Sequence, residues 1–130
     1  MRVAIIGSRT FTDEETIREV VKSLHQQNPN LMIISGGARG ADQIGERAAD
    51  ELGIPKKIFQ PQWHIYGRRA GFVRNELIIE AAERVFAFFA PGPKSNGTQH
   101  SVDLAIKANK EVHIFHEGRW THYWSKGDAR

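Results

Sequence analysis

The sequence predicts a doubly wound α/β domain, with a mainly parallel five-stranded sheet and helices on both faces. Three observations carry this. Short apolar runs alternate with amphipathic helical stripes along the chain. The apolar runs are continuous rather than alternating, as in strands covered on both sides. Most of these runs lead into a polar loop that carries glycine or arginine, the chemistry of a sheet edge that holds a ligand.

Residues 2–6 form the first strand. Thr12 and Glu15 then have the spacing of a capping box, with Thr12 as N-cap. Ile17, Val20, Val21 and Leu24 follow as a helical stripe, which ends around Pro29. Residues 31–35 form a second buried strand, and a second helix covers 40–52 with Ile44, Ala48 and Leu52 on one face. Gly53 and Pro55 close that helix. A weaker strand is expected at 57–60, then a loop, a third helix over 71–83 and a fourth strand over 84–90. A fourth helix opens at Gly97 and ends near Asn109, and residues 111–115 form the fifth strand. Residues 1–116 are read as one domain and 117–130 as a tail without clear period.

The 130 residues suffice for one sizeable core. The absence of cysteine excludes disulfides and thiolate metal sites. The apolar run near the N-terminus is too short for a signal peptide or a membrane span, so a cytoplasmic protein with no membrane partner is expected. A net charge of +3 says little by itself. The placement of the cations says more. Arg9, Arg39, Arg68, Arg69, Arg74 and Lys94 all fall at the expected carboxyl edge of the sheet, whereas the opposite edge is mixed. A basic edge with exposed helix N-termini favours an anionic ligand.

Four loops carry the candidate site. SGGARGAD contributes Ser35, Gly36, Gly37, Ala38, Arg39, Gly40 and Asp42. It is neither a Walker A loop nor GxGxxG. It reads equally as a tight turn capped by Asp42 or as a phosphate cradle, and Asp42 could instead orient a ribose hydroxyl. GSRTF supplies Gly7, Ser8 and Arg9, placed to meet a phosphate or ribose. The stretch 63–75 offers Trp63 or Tyr66 to a base, with Arg68, Arg69 and Arg74 for phosphate and Asn75 beside them. Each single aromatic reads more readily as a packing anchor. Arg74 is expected in the first turn of its helix, where a cation opposes the dipole unless an anion is near. PGPKSNGT brings Gly97 and Thr98 to a helix start, with Ser95 or Asn96 as the bland alternative of a cap. The six histidines show no metal-ligand spacing, and no cofactor or metal is expected. His100 alone merits a catalytic test, and no catalytic residue is assigned. Trp120, Tyr123 and Trp124 are expected to dock on the domain or on a sister subunit.

GSR after the first strand, SGGARGAD after the second, W-x-x-YG-x-x-AG-x-x-RN and G-x-x-S-x-GT form an ordered set. Across residues 2–115 this set resembles the SLOG superfamily, and within it the small YspA/YpsA-related group. The resemblance implies a Rossmann-like fold, a nucleotide or nucleotide-derived ligand, a role in sensing or processing such a signal, and a homo-oligomer. LOG phosphoribohydrolases of the same superfamily carry PGGxGTxxE and an RK pair. Gly97, Thr98 and Arg74 match these, while Ser101 stands where the glutamate would be and Asn75 where the lysine would be. That glutamate helps stabilise an oxocarbenium-like transition state, so its loss counts against hydrolysis by the LOG mechanism. An N-glycosidic hydrolase of a nucleotide or ADP-ribose-like substrate is the first alternative function. DprA has similar GSR and SGGARGxD loops and binds single-stranded DNA. A single-stranded nucleic-acid partner is the second alternative and ranks below a small nucleotide.

Overall fold

In the computed structural model, secondary structure is described for residues 1–124 and side chains for residues 1–121. The chain runs β1 (Arg2–Gly7), α1 (Glu14–Gln27), β2 (Met32–Ser35), α2 (Ala41–Glu51), β3 (Lys56–Ile58) and α3 (Trp63–Tyr66). A single 3-10 turn, Gly67–Arg69, leads into α4 (Ala70–Ala81). Then follow β4 (Arg84–Phe88), α5 (Asn96–Lys107), β5 (Glu111–His116) and β6 (Arg119–Trp124).

The sheet order is β3-β2-β1-β4-β5-β6, parallel throughout except for β6. Alternate residues of the central strands feed two cores. Val3, Ile5, Ile33, Phe86 and Phe88 pack with Ile17, Val21 and Leu24 of α1 and with Ile44 and Ala48 of α2. Ala4, Ile6, Ile34, Val85 and Ala87 pack with Ile78 and Ile79 of α4 and with Val102 and Ala105 of α5. Burial on both faces explains why the strands read as unbroken apolar runs.

Three expectations shift. The N-cap of α1 is Asp13, not Thr12: Asp13 Oδ1 accepts the Thr16 N–H at 3.2 Å. The loop expected at 61–70 is mostly helical, so α4 begins earlier and Arg74 is its fifth residue, beyond the first turn. The tail contributes a sixth strand. Glu117 (φ 57°) and Gly118 (φ 73°) turn the chain back, and β6 pairs antiparallel with β5. Two positive φ values in a two-residue connection define the tight hairpin turn that suits sheet twist. Trp120 docks on the domain, its ring 5.3 Å from Phe115 and 5.7 Å from Phe88. The side chains of Tyr123 and Trp124, and residues 125–130 of the expected tail, lie outside the described residues. No helix among the described residues is long and apolar enough to cross a membrane.

Candidate functional site

Strand order reverses between β1 and β4, where a crevice opens beyond the carboxyl ends of the strands. Ser8 locks the two sides of that crevice together. Its N–H donates to the Phe88 carbonyl at 2.9 Å, and its hydroxyl accepts the Ala90 N–H at 3.0 Å. Its carbonyl accepts the Ala41 N–H at 3.2 Å, which ties the β1 loop to the start of α2. Gly40 passes so close to this carbonyl that no side chain fits, and its φ of 79° also demands glycine.

Gly36 is held from both ends. Asp42 Oδ2 accepts its N–H at 3.2 Å and the Ala38 N–H at 3.4 Å. Arg74 Nη1 donates to its carbonyl at 2.8 Å. A Cβ on Gly36 would lie 2.7 Å from Arg74 Nη1 and 2.8 Å from Asp42 Oδ2. Burial pushes the Asp42 carboxyl up to about 7, against the opposing pull of the Ala38 N–H and Arg74; nearby Glu46 adds to the rise. Burial also lowers the pKa of Arg74, while Asp42 favours its charged form and Arg9 opposes it. Arg74 Nε donates to Asn75 Oδ1 at 3.0 Å, and Asn75 Nδ2 lies 3.4 Å from His100 Nδ1.

These elements surround a hollow of about 390 Å³, within the usual range for small-molecule sites. Gly7, Ser8, Arg9, Ala38, Asp42, Arg74, Asn75, Gly97 and Thr98 line it, as do Ser95 and Ser101. Ile6, Ile78 and Pro93 make part of its apolar wall. At the α5 end, Gln99 N–H donates to the Ser95 carbonyl at 3.0 Å, so the N–H groups of Asn96, Gly97 and Thr98 precede the first intrahelical bond. Ser95 is the N-cap by position, yet its hydroxyl caps nothing. Ser95 Oγ is buried without a hydrogen-bond partner.

The remaining candidates lie elsewhere. Ser35 is buried and donates to Glu46 Oε2 at 2.6 Å. Gly36 and Gly40 shape the loop but do not line the hollow, and neither do Gly37 or the exposed Arg39. The SGGARGAD loop therefore offers the hollow less than a full cradle: Asp42 already takes the N–H groups of Gly36 and Ala38. Trp63 is 57% exposed and lines no part of the hollow. Tyr66 borders a separate, smaller cavity. Arg68 and Arg69 are exposed outside both. The dipole reasoning for Arg74 fails, because the residue sits past the first turn; the Gly36 carbonyl and Asn75 account for its position. Ser95 entered the reading of the sequence only as a cap. Ser101 entered only as a replaced glutamate, yet it returns to the same helix face one turn after Gly97, where its hydroxyl contacts the Gly97 carbonyl at 3.4 Å. Asp42 is the one carboxyl group among the described residues that lines the hollow; Asp103 is exposed and accepts from Gln99.

A Rossmann-like domain with its hollow at the switch point is the class these features define. A family model described as the YspA, cpYpsA-related SLOG family matches residues 1–66, and the chain belongs to that family. The gene 61 protein of Mycobacterium phage D29 is 34% identical over 117 residues, covering 85% of this chain and 93% of that protein. Solved structures that share the fold include two DNA processing proteins. DNA processing protein A (DprA) from Streptococcus pneumoniae superposes with a TM-score of 0.72 at 17% identity, covering 87% of this chain and 49% of that one. DprA from Helicobacter pylori, solved for its single-stranded DNA binding mode, gives a TM-score of 0.63 at 19% identity over 98% of this chain and 70% of that one. The chain thus spans about half the length of the pneumococcal protein in its structure.

Proposed function

We propose that the chain binds a nucleotide or nucleotide-derived ligand in the β1–β4 hollow, with the ligand's anionic group between the α5 N-terminus and Arg74. The observation that carries this is the convergence on one hollow of Arg74, the start of α5 and Ser95, whose buried hydroxyl has no hydrogen-bond partner. A guanidinium has five N–H donors. Gly36 and Asn75 each take one from Arg74, leaving the others to meet a phosphate. A helix N-terminus adds about 0.3–1 kcal/mol, and a charge-assisted hydrogen bond about 1.5–3 kcal/mol. The apolar wall at Ile6, Ile78 and Pro93 suits the less polar part of such a ligand.

Isothermal titration with AMP, ADP-ribose, NAD and cyclic nucleotides tests the reading. Saturable binding that Arg74→Ala weakens supports it; silence from all four ligand types counts against it. Release of free base or ribose phosphate on incubation would extend binding to N-glycosidic hydrolysis, with Asp42 the carboxyl within reach. A second reading, single-stranded nucleic acid, draws on the exposed Trp63 near exposed Arg68 and Arg69 and on the fold shared with DprA. Its mark is oligonucleotide affinity that grows with length and falls steeply with salt.

A further inference from the structure

Arg74 borders two cavities. Besides the hollow, it lines a smaller one of about 160 Å³ between the end of β3 and α4. The walls of this second cavity include Phe59, Gln60, Gln62, Tyr66 and Leu77. Its volume is about half the ~300 Å³ at the lower end of complete small-molecule sites, so it fits a fragment of a ligand.

The lining has the chemistry of a base pocket. Phe59 and Tyr66 supply aromatic surface, with Lys57 Nζ 5.0 Å from the centroid of the Phe59 ring, and Leu77 supplies an aliphatic wall. Tyr66 and Leu77 keep 44% and 42% of their surface exposed, so their walls are open to an incoming ligand. Gln62 precedes α3 without a side-chain capping bond. A carboxamide presents a donor and an acceptor side by side, the pattern that matches the edge of a heterocyclic base. Aromatic faces with hydrogen-bonding groups at the rim are how proteins hold unstacked bases.

We infer that the β3–α4 cavity is a subsite for a planar heterocycle, with Arg74 as the partition between it and the anion in the hollow. The inference rests on the nucleotide reading above and adds where the base goes. It replaces Trp63 as a base contact and keeps Tyr66.

Two probes and two variants test it on the full chain: AMP and ribose 5-phosphate, with Leu77→Trp to fill the cavity and Tyr66→Ala to remove its aromatic wall. Stacking of one base is worth roughly 1–3 kcal/mol, so the protein should bind AMP about 5- to 150-fold tighter than ribose 5-phosphate. Each variant should bring AMP down to the affinity of ribose 5-phosphate and leave ribose 5-phosphate within about twofold of its original affinity. Equal affinities for the two probes in the unmodified protein would overturn the subsite. So would AMP affinity untouched by both variants while ribose 5-phosphate still binds; in either case the phosphate site stands and the heterocycle lies elsewhere. Failure of both probes to bind the unmodified protein would overturn the nucleotide reading, and the subsite with it.

Discussion

Arg74 and Asp42 grip the same residue from opposite sides: Arg74 Nη1 reaches the Gly36 carbonyl at 2.8 Å, and Asp42 Oδ2 takes the Gly36 N–H at 3.2 Å. The two side chains come from α4 and α2, so this grip fixes the β2–α2 loop against α4. Arg74 has two tasks in this arrangement. It supports the loop, and it presents its remaining donors to the hollow.

Arg74→Ala should therefore weaken anion binding by about 1.5–3 kcal/mol and also lower stability, since the Gly36 carbonyl loses its donor. Arg39→Ala is the control. Arg39 is exposed and away from the hollow, so stability should stay within about 0.5 kcal/mol and affinity should not change. Titration calorimetry and urea unfolding measure the two effects separately. Unchanged affinity in Arg74→Ala removes Arg74 from the site.

Asp42 predicts a pH signature. Its folded pKa, about 7, lies above the ordinary 3.8, so between these values the folded state holds the extra proton. Stability then falls as pH rises from about 4 to 7, by at most about 1.4 kcal/mol per pH unit from this group. Asp42→Asn cannot titrate. Urea unfolding at pH 5 and pH 8 should show the unmodified protein losing stability relative to Asp42→Asn at the higher pH. A difference constant with pH would place the Asp42 titration outside this window.

Gly40→Ala should be among the costlier single changes in the loop. The new methyl meets the Ser8 carbonyl and Arg9 backbone, and a φ of 79° strains any side chain. A loss of roughly 2–4 kcal/mol is expected from overpacking and backbone strain together. Gly97→Ala tests the contrast. A Cβ there meets nothing within 4 Å, so stability should hold or rise slightly with the better helix former. Thermal unfolding of the pair distinguishes the two roles of glycine.

Trp120→Ala probes the β5–β6 hairpin. The indole packs edge-on against Phe88 and Phe115 but stays 47% exposed. A loss of about 1–2 kcal/mol follows from partial burial plus aromatic pairing. An unfolding midpoint that does not move would mean the indole contributes little to holding β6.

The alternation of strands and helices and the cover on both faces of the sheet were legible because they follow from local patterns: apolar runs, stripes and turn residues. The sixth strand was not. Its one flanking signal was the Glu117–Gly118 turn, and Glu at a left-handed position is not a usual turn marker. The N-cap slipped from Thr12 to Asp13 because both residue types cap well and adjacent positions compete. At the site, Arg74, Asn75, Gly97 and Thr98, which the sequence grouped with the GSR loop, line one hollow with Gly7, Ser8 and Arg9. The sequence could not show that Asp42 takes the N–H groups of its own loop, or that Arg74 reaches back 38 residues to Gly36. Those contacts depend on the depth at which α2 and α4 pack, which no local pattern encodes. Nor could it show that the loop before α4 coils into helix and carries Trp63 away from the hollow.

The Asp42 carboxyl, poised near neutrality at the edge of the hollow, has a calorimetric consequence. An arriving anion makes the ionised carboxylate less favourable, so association near pH 7 draws a proton from solution. The heat of titration should then differ between HEPES and Tris in proportion to their ionisation enthalpies, and Asp42→Asn should abolish that difference.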